Sequence, residues 1–195
     1  MAEVKVLIEG YAREEDDIIF ASSTTVLIKN NGLKIIVDPG TNRKLLLEAL
    51  KKEGLNPQDI DYIFLSHYHM DHSLLTGIFE NAKILYAEDI YSFDGKEEEY
   101  ESGILGPNIE IIKTPGHNSD CRTLLVKTEQ GIIAISEDVF WWYDSKEQKL
   151  DRESLIKHED SYATDKEKLK ESRKKVLELA DWVIPGHGKM FKVEK

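Results

Sequence analysis

The stretch FLSHYHMDHS, residues 64–73, decides the fold, because it places three of the chain's six histidines and an aspartate directly behind an apolar run. The run DYIFL in front of the histidines is typical of a buried strand that ends at Leu65. The polar side chains therefore fall on the turn that leaves this strand. His67 and His69 are two residues apart in an extended segment, so we expect them to point in the same direction.

Asp71 and His72 follow where the chain is predicted to turn into a helix that begins at or just after Asp71. The free N–H groups and the dipole of a first helical turn tolerate a carboxylate. One short turn can therefore direct imidazoles and a carboxylate at one point from two sides. Imidazole nitrogen and carboxylate oxygen, without a thiolate, suit zinc or another divalent first-row metal. Surface histidines that coincide by chance are the alternative, which the tight spacing disfavours.

Three further candidate ligands stand at the ends of other predicted strands. His117 follows the strand in IEIIKTPGH, Asp138 ends the run GIIAISED, and His187 follows the strand in ADWVIPGH. Sites on layered sheets usually collect at the carboxyl ends of strands. Gly116 and Gly186 let the backbone bend sharply beside these residues. Taken alone, each of these residues would more often have a structural role. Together with the cluster at 67–72, they bring five of the six histidines into one predicted site.

The composition limits the classes of partner. The chain has 195 residues and a formal net charge of −11, which disfavours nucleic acid without excluding it, since proteins that bind nucleic acid usually carry a basic footprint. No apolar run approaches the roughly 18 residues that would span a bilayer, so we expect no membrane partner. The lone Cys121 excludes an intrachain disulfide framework and fits a reducing, cytoplasmic location. We expect Cys121 to be a small buried side chain.

Short strands rich in β-branched residues recur along the chain. The sequences NNG at 30–32 and EQG at 129–131 are typical of hairpin turns, in which glycine supplies a positive φ. The predicted strands are Val4–Ile8, Thr24–Lys29, Lys34–Val37, Tyr62–Leu65, Lys83–Ala87, Glu110–Lys113, Thr123–Lys127, Gly131–Ile135 and Trp182–Ile184.

Helices alternate with these strands. They are predicted over Asn42–Glu53 and over Asp165–Ala180, and the second opens on a capping box that runs from Thr164 to Glu167. No repeat or linker interrupts the pattern, so we predict a single domain over residues 1–195. Paired strands with surface helices indicate sheets that are covered on the outside by helices.

With these residues in place, the sequence resembles the metallo-β-lactamase superfamily from about Thr24 to Phe191, and within it the small single-domain branch. Five motifs stand in the family's order, namely VDPG with Asp38, SHYHMDH, TPGH, SED with Asp138, and PGHG. The resemblance implies an α/β fold, a four-layer αβ/βα sandwich of two mixed sheets with outer helices. It also implies two metal ions at one edge of the paired sheets.

The resemblance implies seven metal ligands, divided between two sites that share one bridging carboxylate. They are His67, His69 and His117 at the first site, Asp71, His72 and His187 at the second, and Asp138 between the two. Asp38 would orient the ligand turn through hydrogen bonds. Asp71 is the candidate catalytic residue, because a carboxylate that is also a ligand can orient the nucleophile and shuttle its proton.

Two positions depart from the family pattern. The residue before the bridging aspartate is usually Gly, but here it is Glu137, whose carboxylate would either perturb the metals or point away from them. The Gly-Gly pair that often follows the histidine cluster is replaced by SLLTG, residues 73–77. The second change alters the wall of the groove rather than the ligand set.

The resemblance implies an enzyme, a dinuclear metallohydrolase that uses a metal-bridging hydroxide. Zinc is the favoured metal, with iron and manganese as alternatives, and the expected substrate is a small ester, thioester or lactone. One alternative function is a metal-dependent phosphodiesterase or ribonuclease, which the acidic charge disfavours. Others are a mononuclear iron enzyme like the persulfide dioxygenases, which keep much of this ligand set, and a metal-bound scaffold without activity.

Two segments are expected to frame the substrate. Residues 10–23 join two early strands and could flank the groove, while residues 140–165 begin with four adjacent aromatic residues, Phe140 to Tyr143. One interpretation is that these aromatics form an apolar wall for the substrate. The favoured interpretation is that they pack within the insertion or at a homodimer contact. His158 lies outside any motif and is expected to be an ordinary surface residue.

Overall fold

A seven-stranded sheet occupies the first half of the chain in the computed structural model, which describes residues 1–194. In chain order its strands are β1 Glu3–Ile8, β4 Thr25–Asn30, β5 Leu33–Val37, β6 Tyr62–Leu65, β7 Lys83–Tyr86, β8 Asp89–Tyr91 and β9 Glu97–Glu99. They lie in the same order across the sheet. The pairs β5–β6 and β6–β7 are parallel and the other pairs are antiparallel, so this sheet is mixed.

A five-stranded sheet forms the second half, and a separate two-stranded hairpin lies beside the site. The strands of the second sheet are β10 Ile109–Lys113, β11 Arg122–Thr128, β12 Gly131–Trp141, β13 Trp182–His187 and β14 Phe191–Lys192, and the hairpin pairs β2 Tyr11–Glu15 with β3 Ile18–Ser22. Strands β12 and β13 are parallel, which makes this sheet mixed as well. The helices are α1 Arg43–Lys52, α2 Met70–Ser73, α3 Arg152–Lys157 and α4 Lys166–Leu179.

Three apolar clusters hold the layers together. Side chains of both sheets meet in the central cluster, where Val26 and Ile28 of β4 share a core with Val126 of β11. Leu27 points to the opposite face of β4 and packs in a second cluster with Leu46 of α1, as the two-residue period of a strand requires. The third cluster lies between the second sheet and helices α3 and α4. The order of layers is therefore helix, sheet, sheet, helix, which confirms the predicted αβ/βα sandwich.

Both predicted hairpin turns are confirmed. Asn31 and Gly32 have positive φ values of 51° and 86° and connect β4 to β5 across the pair Asn30–Leu33. Residues 129–130 connect β11 to β12 across the pair Thr128–Gly131, and here Gly131 supplies the positive φ, 107°. Both turns keep their strands antiparallel, and the positive φ values of Asn31 and Gly32 match the twist of β4 and β5.

The predicted capping box of the last helix is wrong by one residue. Asp165 caps α4, because its side chain accepts a hydrogen bond from the Lys168 N–H at 3.0 Å. Thr164 instead donates its hydroxyl to the carbonyl of Gly116 at 3.3 Å. The first helix agrees more closely with its prediction, because Asn42, the first residue of the predicted helix, is the N-cap of α1.

The segment 10–23 is a hairpin rather than a plain connection. Its turn residues, Asp16 and Asp17, both have positive φ, which aspartate tolerates better than most residues. Another difference from the predicted strands is that β12 continues six residues past Ile135, to Trp141. These extensions put additional side chains at the edge where the predicted ligands lie.

Candidate metal centre

The predicted ligands come from the carboxyl ends of strands in both sheets. Strand β6 leads directly into His67, β10 leads to His117, and β13 ends at His187, while Asp138 lies within β12. At this edge the two sheets are joined, because the N–H of Arg122 donates to the carbonyl of Ser66 at 2.9 Å. The structure therefore brings all seven predicted ligand residues together, in groups whose donor atoms lie within 4.8 Å of one another.

The first group consists of three imidazoles and one carboxylate oxygen. The Nδ1 atom of His69 lies 2.9 Å from Nε2 of His67 and 3.2 Å from Nε2 of His117. Oδ2 of Asp138 lies 3.3 Å from Nε2 of His117 and 3.7 Å from Nε2 of His67. Ligands of a tetrahedral zinc ion are separated by about 3.3 Å, given zinc–nitrogen bonds of 2.0–2.1 Å. The spacing of the group matches that geometry.

The second group faces the other oxygen of the same carboxylate. Oδ1 of Asp138 lies 3.4 Å from Nε2 of His72 and 3.6 Å from Nε2 of His187. Oδ2 of Asp71 lies 3.2 Å from Nε2 of His187 and 3.7 Å from Nε2 of His72. Asp138 therefore presents one oxygen to each group, which is the arrangement that a bridging ligand requires.

Hydrogen bonds at the outer ring nitrogens decide which nitrogen each histidine presents to the site. Nδ1 is bonded in four of the rings, in the pairs His72–Asp38 at 2.6 Å, His117–Asp160 at 2.8 Å, His187 to the Tyr11 carbonyl at 2.9 Å, and His67–Ser66 at 3.0 Å. These four rings therefore offer Nε2, whereas His69 offers Nδ1. Such outer partners orient the rings of metal-binding histidines and fix their tautomers.

The charges of the site suit a cation. Burial, together with the neighbouring His72, lowers the pKa of His67 well below its usual value, so this imidazole is neutral. Burial opposes ionisation of Asp138, but the surrounding imidazoles outweigh it and hold the pKa of this carboxyl well below its usual value. Neutral imidazole and ionised carboxylate are the forms that bind metal ions. Burial lowers the pKa of His72 and His117, but the Asp138 carboxylate outweighs it and raises both, so a metal ion would displace protons from these two rings.

Two buried atoms at the centre are consistent with residues that hold a metal ion. Within residues 1–194, neither Nε2 of His72 nor Oδ1 of Asp138 has a hydrogen-bond partner, although both are buried. Buried polar atoms are normally paired, and an unpaired one is costly. A divalent cation between the ligands would satisfy both atoms.

The structure also answers the question left open by Glu137. Its side chain is fully buried, its φ is 46°, and Oε2 lies 3.9 Å from Nδ1 of His72. This nitrogen is the one opposite to the metal-facing Nε2, so the carboxyl group points away from the two ligand groups. Burial and the Asp38 carboxylate raise the pKa of Glu137 well above its usual value. Glu137 therefore lies behind the site, in surroundings that favour its protonated form.

An apolar cavity of about 450 Å³ opens above the two groups. Its lining combines ligand residues with the hairpin, the turn before α1, the start of α2, the end of β12 and the segment after β12. The non-ligand lining residues are Ala12, Ile19, Ala21, Thr41, Met70, Trp141, Tyr143 and Tyr162. None of the described residues that line this cavity is Lys or Arg. The cavity therefore offers an apolar surface beside a cation site.

The aromatic run divides between the two interpretations made from the sequence. Phe140 and Trp142 pack in the cluster beneath α4, as the favoured interpretation predicted. Trp141 and Tyr143 line the cavity instead. Alternation along an extended segment explains the division, because successive side chains point to opposite faces.

Two other residues of this insertion were not predicted correctly: His158 has a different environment from the one expected, and Asp160 had no predicted role. His158 is half-buried and its Nε2 lies 2.7 Å from the carbonyl oxygen of Trp141, so the expectation of an ordinary surface residue is wrong. Asp160, which contacts His117, follows no motif and was missed.

Cys121 is buried as predicted, and burial raises the pKa of its thiol to about 12. Along residues 1–194, no helix has the length and apolar character needed to cross a membrane.

Comparisons with known proteins point to one family. The family profile described as the metallo-beta-lactamase superfamily matches residues 18–85. Metallo-beta-lactamase domain-containing protein 1 of Xenopus laevis is 30% identical over 98% of this chain and 82% of its own length. The chain spans 59% of the human protein of that name, with 33% identity. A probable metallo-hydrolase of Methanocaldococcus jannaschii is 32% identical over 98% of this chain and 90% of its own length.

Similar folds also occur among solved structures. A metallo-beta-lactamase candidate from Thermotoga maritima superimposes with a TM-score of 0.75 over 98% of this chain and 99% of its own, at 20% identity. An N-acyl homoserine lactone hydrolase, solved with N-hexanoyl-L-homoserine at its catalytic metal centre, gives a TM-score of 0.62 over 96% and 92% of the two chains, at 18% identity. These structures share the fold of the chain.

Proposed function

Because the chain belongs to the metallo-beta-lactamase superfamily, whose members include metallo-hydrolases, we propose that it is a dinuclear metallohydrolase of a small, neutral ester, thioester or lactone. The observation that carries the proposal is the bridging position of Asp138, whose two oxygens face two separate groups of ligands at the floor of an apolar cavity. An N-acyl homoserine lactonase of Bacillus cereus, 27% identical over 56% of this chain and 50% of its own length, supports including lactones.

The proposed ligands form two sets with one shared member. They are His67, His69 and His117 for the first ion, Asp71, His72 and His187 for the second, and Asp138 for both. Nitrogen and oxygen ligands without a thiolate favour zinc, with iron and manganese as alternatives. When bound, two such ions supply an acidified water molecule and a Lewis acid for the oxyanion that develops during hydrolysis.

Asp71 is the proposed proton acceptor. Its side chain is 25% exposed and lines the cavity, whereas the Asp138 side chain is 6% exposed. Burial opposes its ionisation, but the contact with His187 and the nearby His72 together outweigh burial and lower the pKa of Asp71. An ionised carboxylate that reaches both the ligand group and the cavity can orient a nucleophile and take its proton.

The walls of the cavity favour an apolar substrate. Trp141 and Tyr143 form one side, and Met70 and Ile19 contribute the others. A phosphodiester or RNA substrate would bring negative charge to a cavity whose described lining residues include no Arg or Lys, the residues that usually pair with phosphate. The net charge of −11 adds to this disadvantage. An acyl group with a neutral leaving group fits better.

A substrate panel tests the proposal. The zinc-loaded protein is assayed at fixed salt with p-nitrophenyl esters, acyl thioesters, N-acyl lactones, bis-p-nitrophenyl phosphate and single-stranded RNA. We expect kcat/KM for the best acyl substrate to exceed that for the phosphodiester by about 100-fold or more, a difference of roughly 2.7 kcal/mol in activation free energy. Asp138→Ala should abolish the activity. Preference for the phosphodiester or RNA, or full activity of Asp138→Ala, would contradict the proposal.

A further inference from the structure

We propose that Asp160 is a positioning residue of the metal centre, which holds the His117 ring with Nε2 toward the first ligand group. This inference rests on the proposed function. Oδ2 of Asp160 lies 2.8 Å from Nδ1 of His117, and both side chains are 1% exposed. Asp160 touches no other proposed ligand through a hydrogen bond in residues 1–194, so its effect on the site passes through one imidazole.

The contact fixes both the tautomer and the orientation of the ring. An Nδ1–H that donates to a carboxylate leaves the lone pair of His117 on Nε2, the atom that lies 3.3 Å from Asp138 Oδ2. The carboxylate is itself held in place, because Oδ1 of Asp160 accepts a hydrogen bond from the Tyr162 N–H at 2.8 Å. Both partners of the contact are therefore fixed before a metal ion binds.

A buried guanidinium anchors the segment that carries Asp160. Arg173 of α4 is 2% exposed, and its Nε donates to the carbonyl of Val139 in β12 at 2.9 Å. Its Nη1 donates to the carbonyls of Ile156 and His158, at the end of α3. One cation thus ties the segment before Asp160 to the strand that carries the bridging carboxylate. Arg173 therefore bonds to both of these parts of the site.

The backbone of the His117 turn is held by different contacts. The N–H groups of Thr164 and Asp165 donate to the carbonyls of His117 and Gly116 at 3.1 and 2.9 Å. The Ser172 hydroxyl donates to the carbonyl of Pro115 at 2.7 Å. None of these bonds involves the Asp160 side chain, so its removal would leave the turn in place and would free the His117 ring and the N–H of Tyr162.

Three variants test this role by zinc affinity rather than by activity. Asp160→Ala removes the contact, Asp160→Asn keeps an oxygen that can accept the same hydrogen bond, and Glu159→Gln removes one negative charge from the exposed neighbouring residue. Zinc affinity is measured by competition with a chromophoric chelator, and metal-free proteins are compared by thermal unfolding. In the zinc-loaded wild type, ¹⁵N spectra of the histidines should locate the His117 proton on Nδ1.

We expect Asp160→Ala to weaken binding of one of the two ions by about 10- to 100-fold, the effect of losing an outer partner of a metal-binding histidine. Asp160→Asn should lose less than Asp160→Ala, and Glu159→Gln should stay within about twofold of the wild type. Zinc affinity of Asp160→Ala within about twofold of the wild type, or an equal loss in Glu159→Gln, would overturn the role of Asp160.

The other possible outcomes separate the role of Asp160 from the proposed function. If Asp160→Ala does not fold, the ¹⁵N spectra of the zinc-loaded wild type carry the test, and a His117 proton on Nε2 rather than Nδ1 would overturn the inference. A wild-type chain that binds no zinc would overturn the proposed function together with this role. A wild type that binds two ions, beside an Asp160→Ala variant that binds them equally well, would overturn only the role of Asp160.

Discussion

Gly186 gives a way to displace the bridging carboxylate without changing any ligand. A Cβ atom at this position would lie 1.9 Å from Oδ1 of Asp138, and 3.0 Å from the backbone carbon of Glu137. Gly186 does not have the positive φ that would strain an alanine, so the substitution acts through this collision. Oδ1 must withdraw by about 1.5 Å to reach an ordinary van der Waals contact, whereas metal–ligand distances tolerate about 0.2 Å.

We therefore expect Gly186→Ala to lose metal while keeping its fold. A displacement of this size should lower kcat/KM by about 100-fold or more, as misplacement by 1 Å does elsewhere. Overpacking of this kind costs about 1–3 kcal/mol of stability, which a folded domain can tolerate. Metal content is measured by mass spectrometry after dialysis, and folding is checked by circular dichroism and thermal unfolding.

Gly77→Ala is the matched control for this substitution. A Cβ at Gly77 meets no atom within 4 Å, and the residue has no positive φ. This variant should keep the metal content and the kcat/KM of the wild type. If Gly186→Ala also kept both values, the carboxylate of Asp138 would not bridge the metals and the assignment of the site would be refuted.

Three smaller predictions concern residues around the site. Ile19→Asp, in the hairpin wall of the cavity, should raise KM for long-chain esters by about tenfold, while Ile18→Asp on the opposite face should not; equal KM values in the two variants would contradict the proposed wall. The pKa of Glu137 is raised above 4.5, so the native state keeps a proton that the unfolded state releases. As pH rises from 4.5 toward neutrality, the metal-free wild type should therefore lose stability relative to Glu137→Gln. A difference in Tm that does not change with pH would argue against a buried neutral acid. Burial raises the pKa of the Cys121 thiol from 9.0 to about 12, so a thiol reagent should label the native protein about 1,000-fold more slowly than the unfolded one; rapid labelling of native protein would show that the thiol is not buried.

The placement of the predicted ligands followed from local signals. His67, His117 and His187 each stand just after or at the end of an apolar strand, and strands in a layered fold bring such positions to one edge. The periodicity and the turn residues marked those strands without any knowledge of the tertiary structure. The gathering of these residues at one edge was therefore predictable from the sequence.

The outer contacts could not be predicted in the same way. Asp160 lies 43 residues after its partner His117, in an insertion without regular periodicity, so no spacing indicates the pair. The direction of the Glu137 carboxyl depends on a φ of 46°, which a glutamate seldom adopts. Trp141 lines the cavity because β12 continues past Asp138 with shifted register, and tertiary pairing rather than composition determines that extension.

The most direct test of the two-metal site is the anomalous diffraction of a crystal of the zinc-loaded protein. We predict two zinc peaks per chain, about 3.5–4 Å apart as in other two-metal hydrolases. One peak should contact the first ligand set, His67, His69 and His117. The other should contact the second set, Asp71, His72 and His187, and Asp138 should contact both peaks. A single peak in fully loaded protein, or two peaks that Asp138 does not bridge, would contradict the account.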